Sequence, residues 1–335
     1  MNVRSSNGST SRLINNPCGI LAGLMAEERP ITIDEACAGP CGVLAAVQAH
    51  VICELLYGVS RINADSGIVK LTLSEKREAL ARAMTSILWQ AGENKRAIVA
   101  KKHNRIVLNS SAVSDILEPD GILEYMTTDN NPSCIFFLYS VIMTHGLEKF
   151  KQEMDCTDSH LIGTDGYCSQ EVVNLMLTGK AVPNLFDGVV ELNSGGSETT
   201  ILRGIPGQSK IGLLSLYEYQ GNCTVGNYYK NPVYPIWIML ADSHFTVLFA
   251  LSRSILRNKK KQDPFTLYHY NGLAKRHAET SYIINPAGNS SPPPNDRTLP
   301  AVICCIHTRW PNASVDPNIQ VNENSAETNE EDTNE

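Results

Sequence analysis

Cys41 stands in GPCGVLAAVQAHV, from Gly39 to Val51, where a Pro-Cys-Gly turn runs into an apolar segment with helical spacing. A thiol at a helix N-terminus faces backbone N–H groups and the positive end of the helix dipole, which favour the thiolate, its nucleophilic form. Pro40 fixes the turn into the helix, and Gly42 leaves room for a substrate to come close. Thiol hydrolysis needs two further groups, a His to take the proton and something to orient that His. His244 opens the strand-like run HFTVLFAL directly after a tight turn, and Asn271 ends the next run, FTLYHYN. The Asn271 amide can accept the second imidazole N–H.

Each of these residues also has a plainer reading. A cysteine in an Ala/Leu/Val-rich helix is more often a small buried hydrophobe than a nucleophile. A histidine that begins a strand is more often a hydrogen-bonded structural residue. Asn271-Gly272 reads most simply as a turn. The chain order Cys, His, Asn is that of papain-like enzymes, but spacing alone does not bring them together. Cys168, in GYCSQEVVNLML, is the rival nucleophile, with His160 nearby, though neither has an orienting partner in view. Cys18 repeats the motif in NPCGILAGLMA, but Glu27, Glu28, Arg29 and Pro30 end that helix after about two turns.

Helices dominate the first half. Leu44, Val47, Val51 and Leu55 form a stripe that Gly58 stops, and Ser74 is read as the cap of a helix carrying Leu80, Met84, Ile87 and Leu88. Further helices are expected near Ser114–Met126, Ile135–His145 and Ser169–Leu177. The second half reads as strands: PIWIML and HFTVLFAL form a hairpin across Ala-Asp-Ser, then FTLYHYN follows a basic loop, RSILRNKKKQD. Helices first and antiparallel strands later predict an α+β fold. Residues 1–33 form a poorly ordered or divergent lead, 34–318 the folded domain, and 319–335 a disordered acidic tail.

Composition narrows the class. A net charge of −7 and a pI near 5.7 lack the basic footprint of nucleic-acid binding. No apolar run approaches the roughly 20 residues that span a bilayer, and the polar start has no signal-peptide core. A reduced intracellular compartment is therefore expected, the cytosol first and the nucleus second. The 10 cysteines are scattered through apolar segments with no CxxC pair, so neither a disulfide framework nor a metal site is expected. No cofactor is called for.

The blocks AGPCGVLAAVQAHV, SHLIGTDGYCSQEVVNLMLTGKAVPNLFDGVVEL, IGLLSLYEYQGNCTVGNYYKNPVYPIWI, DSHFTVLFAL, LYHYNGLA and CCIHTRWPNASVD follow one another between about residues 37 and 318. Together they resemble the MINDY deubiquitinases, in the branch that includes MINDY-three and MINDY-four. The resemblance implies a papain-like cysteine isopeptidase, its nucleophile helix packed on an antiparallel sheet. It would act on polyubiquitin chains and ubiquitinated proteins, with a family preference for chains linked through lysine forty-eight. It further implies Cys41 as nucleophile and His244 as general base, and gives Cys168 a structural place. Relatives often carry Asp where Asn271 stands, so orientation by Asn271 is inferred from its position. A narrow cleft beside Gly39 and Gly42 would suit the flexible, glycine-ended ubiquitin tail.

The chain departs from the family pattern six residues before Cys41, where Glu35 replaces the usual oxyanion-donating Gln. An ionised carboxylate cannot donate, and loss of one such donor costs about 10²–10³ in rate. Ala38 replaces the first glycine of a Gly-Gly pair, and the sequence before Asp34 differs from the usual lead-in. A catalytically weak ubiquitin-binding protein on the same fold is therefore the alternative expectation.

Overall fold

The structure, a computed structural model, describes residues 41–58, 72–101, 104–108, 123, 133–156, 160–163, 168–193, 199–257, 263–270, 280–288 and 298–319. Glu35, Gly39, Asn271, Cys18, residues 1–33 and residues 320–335 lie outside the described residues, as does all but Leu123 of the helix expected at Ser114–Met126, while Ile319, expected to open the tail, ends the last strand.

Helix α1 (Cys41–Tyr57) comes first and sits at the centre of the fold. It is buried almost all round: Ala45, Ala46 and Ala49 are as inaccessible as Val47 and Val51, while Leu44 is 37% exposed. A helix apolar on every side is an interior helix. Its small residues let it fit between other helices and a sheet. Helix α2 (Leu73–Ala91) packs beside it. Its cap is Thr72 rather than the expected Ser74: the Thr72 hydroxyl accepts from the Glu75 N–H, and Glu75 reaches back to the Thr72 N–H. That reciprocal box explains why the helix starts there.

A hairpin, β1 (Ala97–Lys101) and β2 (Asn104–Leu108), follows where no strands were expected. Helix α3 (Ser133–His145) covers it, and Ser140 and Thr144 accept from the Ala100 and Ile98 N–H groups of β1. Hydroxyls thus satisfy a strand edge that would otherwise be open. Helices α4 (Leu147–Glu153) and α5 (Gln170–Thr178) come next, the latter closed by Gly179 at φ +75°. Glu153 ties these parts together, accepting from His145 Nε2 at 2.8 Å, the Ala181 N–H at 2.7 Å and Lys180 Nζ at 3.1 Å.

A second hairpin, β3 (Val189–Asn193) with β4 (Thr199–Arg203), precedes β5 (Gly212–Ser215), α6 (Leu216–Tyr219) and α7 (Asn227–Lys230). The remaining elements are β6 (Ile236–Ala241), β7 (His244–Phe249), α8 (Ser254–Arg257), β8 (Phe265–Tyr270), β9 (Thr280–Asn285), α9 (Ala301–Arg309) and β10 (Ser314–Ile319). Six strands form one sheet in the order β10-β9-β8-β7-β6-β5. Every pairing in it is antiparallel except β5 with β6, which run parallel, so the expected antiparallel sheet carries one parallel edge strand. Part of the expected basic loop is the short helix α8.

Both faces of this sheet are covered. Ile236, Ile238, Val247 and Phe249 face α1 and its helical neighbours. Trp237, Met239, Leu248 and Leu267 face α9, meeting Cys304, Cys305, Ile306 and Trp310. Strands covered on both sides read as unbroken apolar runs, which is why IWIML and FTVLF show little alternation. The fold is thus a mixed one of helices and sheets, with α1 held between them.

Candidate functional site

Three elements converge at the N-terminus of α1. The first is α1 itself, with Cys41 half-buried at its start. The helix is pinned at its far end, where the Tyr57 hydroxyl donates to the Ala250 carbonyl at 2.9 Å and the Tyr57 ring stacks on Tyr234.

The second element is β7. Asp242 and Ser243 form a two-residue turn with φ of 48° and 62°, the twist that joins tightly paired strands, and His244 pairs with Ala241 across it. The neighbouring Phe245 packs on α1: its ring carbon lies 3.2 Å from where a Cβ on Gly42 would sit. Residues 42 and 245 are therefore in contact, which brings Cys41 and His244, one residue before each, to the same end of the helix–strand interface. Phe245, Val247 and Phe249 face α1, so strand alternation puts His244 and Thr246 on the other face of β7. His244 is half-buried there.

The third element is the approach to α5. The Ser169 N–H donates to the Leu161 carbonyl at 2.8 Å, and Cys168 forms a backbone bridge with Ile162. This turn drives the Cys168 side chain against α1. A Cβ on Gly42 would overlap the Cys168 sulfur and lie 2.9 Å from Val173 Cγ2. The sulfur accepts the N–H groups of Gly42 and Val43, so Cys168 caps the helix that carries Cys41. Burial, then the negative charge of Cys41, pushes the Cys168 thiol up to about 11. Burial thus keeps the Cys168 thiol protonated at neutral pH and makes it a slower nucleophile than an exposed thiolate.

Two further residues adjoin His244. His269 bonds Thr246 Oγ1 through Nε2 at 3.0 Å, and burial, then the nearby His244, lowers it to about 4. It is thus a neutral imidazole beside the candidate base. The sequence reading passed over His269 and took Cys168 as a rival nucleophile or, by family resemblance, a structural residue. The strand register was the available signal, since antiparallel pairing of HFTVLF with FTLYHY sets Leu248 opposite His269. Strand β8 ends at Tyr270, so orientation by Asn271 concerns a residue outside those described, as do the places of Glu35 and Gly39.

Among the described residues, no group of three His, Cys, Asp or Glu side chains is arranged to hold a metal ion, and no helix is long and apolar enough to cross a membrane. The candidate site gathers two thiols, two imidazoles and backbone donors.

Residues 25–128 and 120–318 match the conserved domain described as "Deubiquitinating enzyme MINDY-3/4". The chain is 37% identical over 302 residues to the human "Probable ubiquitin carboxyl-terminal hydrolase MINDY-4", a match covering 84% of this chain and 39% of that protein. It is 36% identical over 301 residues to the Xenopus tropicalis protein of the same name, covering 84% and 40%. Zebrafish "Ubiquitin carboxyl-terminal hydrolase MINDY-3" is 28% identical over 261 residues, covering 65% and 56%. The chain spans about two fifths of the length of the MINDY-4 relatives it matches. No solved structure matches it. With the conserved domain matched over most of its residues, the chain belongs to the MINDY-3/4 family of deubiquitinating enzymes.

Proposed function

We propose that the protein is a deubiquitinating cysteine hydrolase of papain-like construction, in which Cys41 is the nucleophile and His244 the general base. The observation that supports this reading is the Gly42–Phe245 contact, which brings the start of α1 and the start of β7 to one end of the helix–strand interface in a chain of this family. The Cys41 thiolate attacks the carbonyl carbon at ubiquitin's C-terminal glycine. His244, protonated, gives its proton to the departing lysine amine and leaves a thioester. The neutral imidazole then takes a proton from water, whose oxygen attacks the thioester and returns the thiol.

The oxyanion needs donors, and the start of α1 offers few. The Gly42 and Val43 N–H groups are taken up by the Cys168 sulfur. The Cys41 N–H is then the backbone donor, and Glu35 stands where the family resemblance expects a Gln amide. Substrates on this reading are polyubiquitin chains, those joined through lysine forty-eight first among them. Cleavage of purified di-ubiquitin linked through lysine forty-eight or through lysine sixty-three tests activity and preference together. Product from the wild type and none from Cys41→Ala supports the proposal; equal cleavage by the two proteins overturns it.

Glu35 favours a second reading, a ubiquitin-binding protein with little activity. Glu35→Gln should raise the cleavage rate about 10²–10³-fold if a missing oxyanion donor limits it. No gain, with chains still bound, would mean that Glu35 is not the limiting feature.

A further inference from the structure

We propose that Cys168 is the resolving thiol of Cys41: a peroxide oxidises Cys41 to the sulfenic acid, and Cys168 closes it into a reversible intrachain disulfide. This rests on the reading of Cys41 as the reactive thiol, and adds to it a modification site and its partner residue.

The geometry is that of two thiols placed at one helix end. The Cys168 sulfur lies within about 4 Å of the Gly42 α-carbon, which is itself one peptide unit, about 3.8 Å, from that of Cys41. The two thiols are near enough that charge on Cys41 raises Cys168. The Gly42 and Val43 N–H groups hold the Cys168 sulfur at this place, and Val173, fully buried behind Gly42, closes the space beyond it. Disulfides join residues whose α-carbons are about 4.4–6.8 Å apart, and the linkage requires Cys41 and Cys168 to reach that separation.

The chemistry divides between the two residues. The Cys41 thiolate attacks one oxygen of hydrogen peroxide; the O–O bond breaks, hydroxide leaves, and the sulfur loses two electrons to the peroxide. The Cys168 sulfur then attacks the Cys41 sulfur; the S–S bond forms, the S–O bond breaks, and the oxygen departs as water with the Cys168 proton. Cys168 does not compete for peroxide, because burial keeps its thiol protonated. Conversion of Cys41 to a neutral sulfenic acid removes the charge that opposed ionisation of Cys168. A thiol near 11 is ionised to about one part in 10⁴ at pH 7. Effective molarities of about 10⁵–10⁸ M for well-placed intramolecular groups outweigh that factor. A dithiol reductant opens the disulfide and restores both thiols. Without Cys168, a second equivalent of peroxide would carry Cys41 to the irreversible sulfinic acid.

The test treats the full chain with a several-fold excess of hydrogen peroxide, blocks remaining thiols, and maps peptides by mass spectrometry without reduction. A parallel sample of reduced protein is exposed to a ubiquitin probe bearing a C-terminal electrophile. The expected result is a Cys41–Cys168 linked peptide that dithiothreitol abolishes, with probe labelling lost on oxidation and regained on reduction. Cys168→Ser should instead give Cys41 sulfinic acid and a loss of labelling that reduction does not recover. The wild-type linkage is read directly and does not depend on the variant folding. Sulfinic acid at Cys41 without linkage, or a disulfide between Cys168 and its other neighbour, Cys134, overturns the proposal. If reduced protein labels at Cys41 but no linkage forms, the resolving role fails and the nucleophile reading stands. If reduced protein does not label, the nucleophile reading itself fails.

Discussion

The Cys168 sulfur occupies the place where a side chain on Gly42 would begin, and it takes the two N–H groups that open the helix behind Cys41. Gly42 is therefore needed for packing, since Cys168, Val173 and Phe245 close on it from three directions.

Gly42→Ala should accordingly destabilise the fold. The added methyl group meets a sulfur held by backbone donors and two core side chains, and overpacking of this kind costs about 1–3 kcal/mol. Urea unfolding would show a lower midpoint with an unchanged slope. Labelling by a ubiquitin probe should fall as well, because the neighbours that yield are those that seat Cys41. An unchanged midpoint would mean that the sulfur moves aside freely.

The cap of α2 gives a sharper pair. Thr72→Ala removes the hydroxyl that accepts from Glu75 and should cost about 1 kcal/mol. Ser74→Ala, at an exposed residue two positions on, should stay within about 0.5 kcal/mol. Equal losses in thermal or urea unfolding would contradict the observed box.

Acid should destabilise the protein in a defined window. His50 is lowered from 6.5 to about 4, chiefly by burial, while its Nδ1–H donates to the Ala46 carbonyl at 2.9 Å. His269 is lowered to about 4 by burial and by His244. The unfolded chain protonates both below 6.5 while the folded chain keeps them neutral, so unfolding takes up protons and stability falls as pH drops from about 6.5 to 4. His50 alone contributes on the order of 3 kcal/mol across that window. Burial raises the Glu153 carboxyl, but bonds from His145, the Ala181 N–H and Lys180 outweigh it and hold it below 4.5. Its contribution is full above 4.5 and is lost as pH falls from there. Urea midpoints measured from pH 7 to pH 4 should decline, and His50→Gln should flatten the decline. A flat wild-type profile would contradict this.

Local elements were legible in the sequence where one chain segment decides them. The span of α1 followed from its apolar spacing and Gly58, and the β6–β7 hairpin from two β-branched runs around a polar turn. The inward-facing alanines of α1 were not legible, because burial of Ala46 and Ala49 depends on a second layer that no local pattern announces. Strands β1 and β2 escaped because α3 hydroxyls, far along the chain, satisfy the edge of β1. The parallel β5–β6 pair likewise depends on a crossover. At the site, Cys41 and His244 were identified as candidates by residue type and position, and their elements do meet. The approach of Cys168 to α1 across more than a hundred residues was not legible, and it sets Cys168 against the start of α1.

The central claim is that Cys41 is the nucleophile, and a ubiquitin probe with a C-terminal electrophile tests it most directly. Folded, reduced protein should form one covalent adduct, mapped by peptide mass spectrometry to Cys41 and absent from Cys41→Ala. An adduct on another cysteine, or none on folded wild-type protein, would contradict the account.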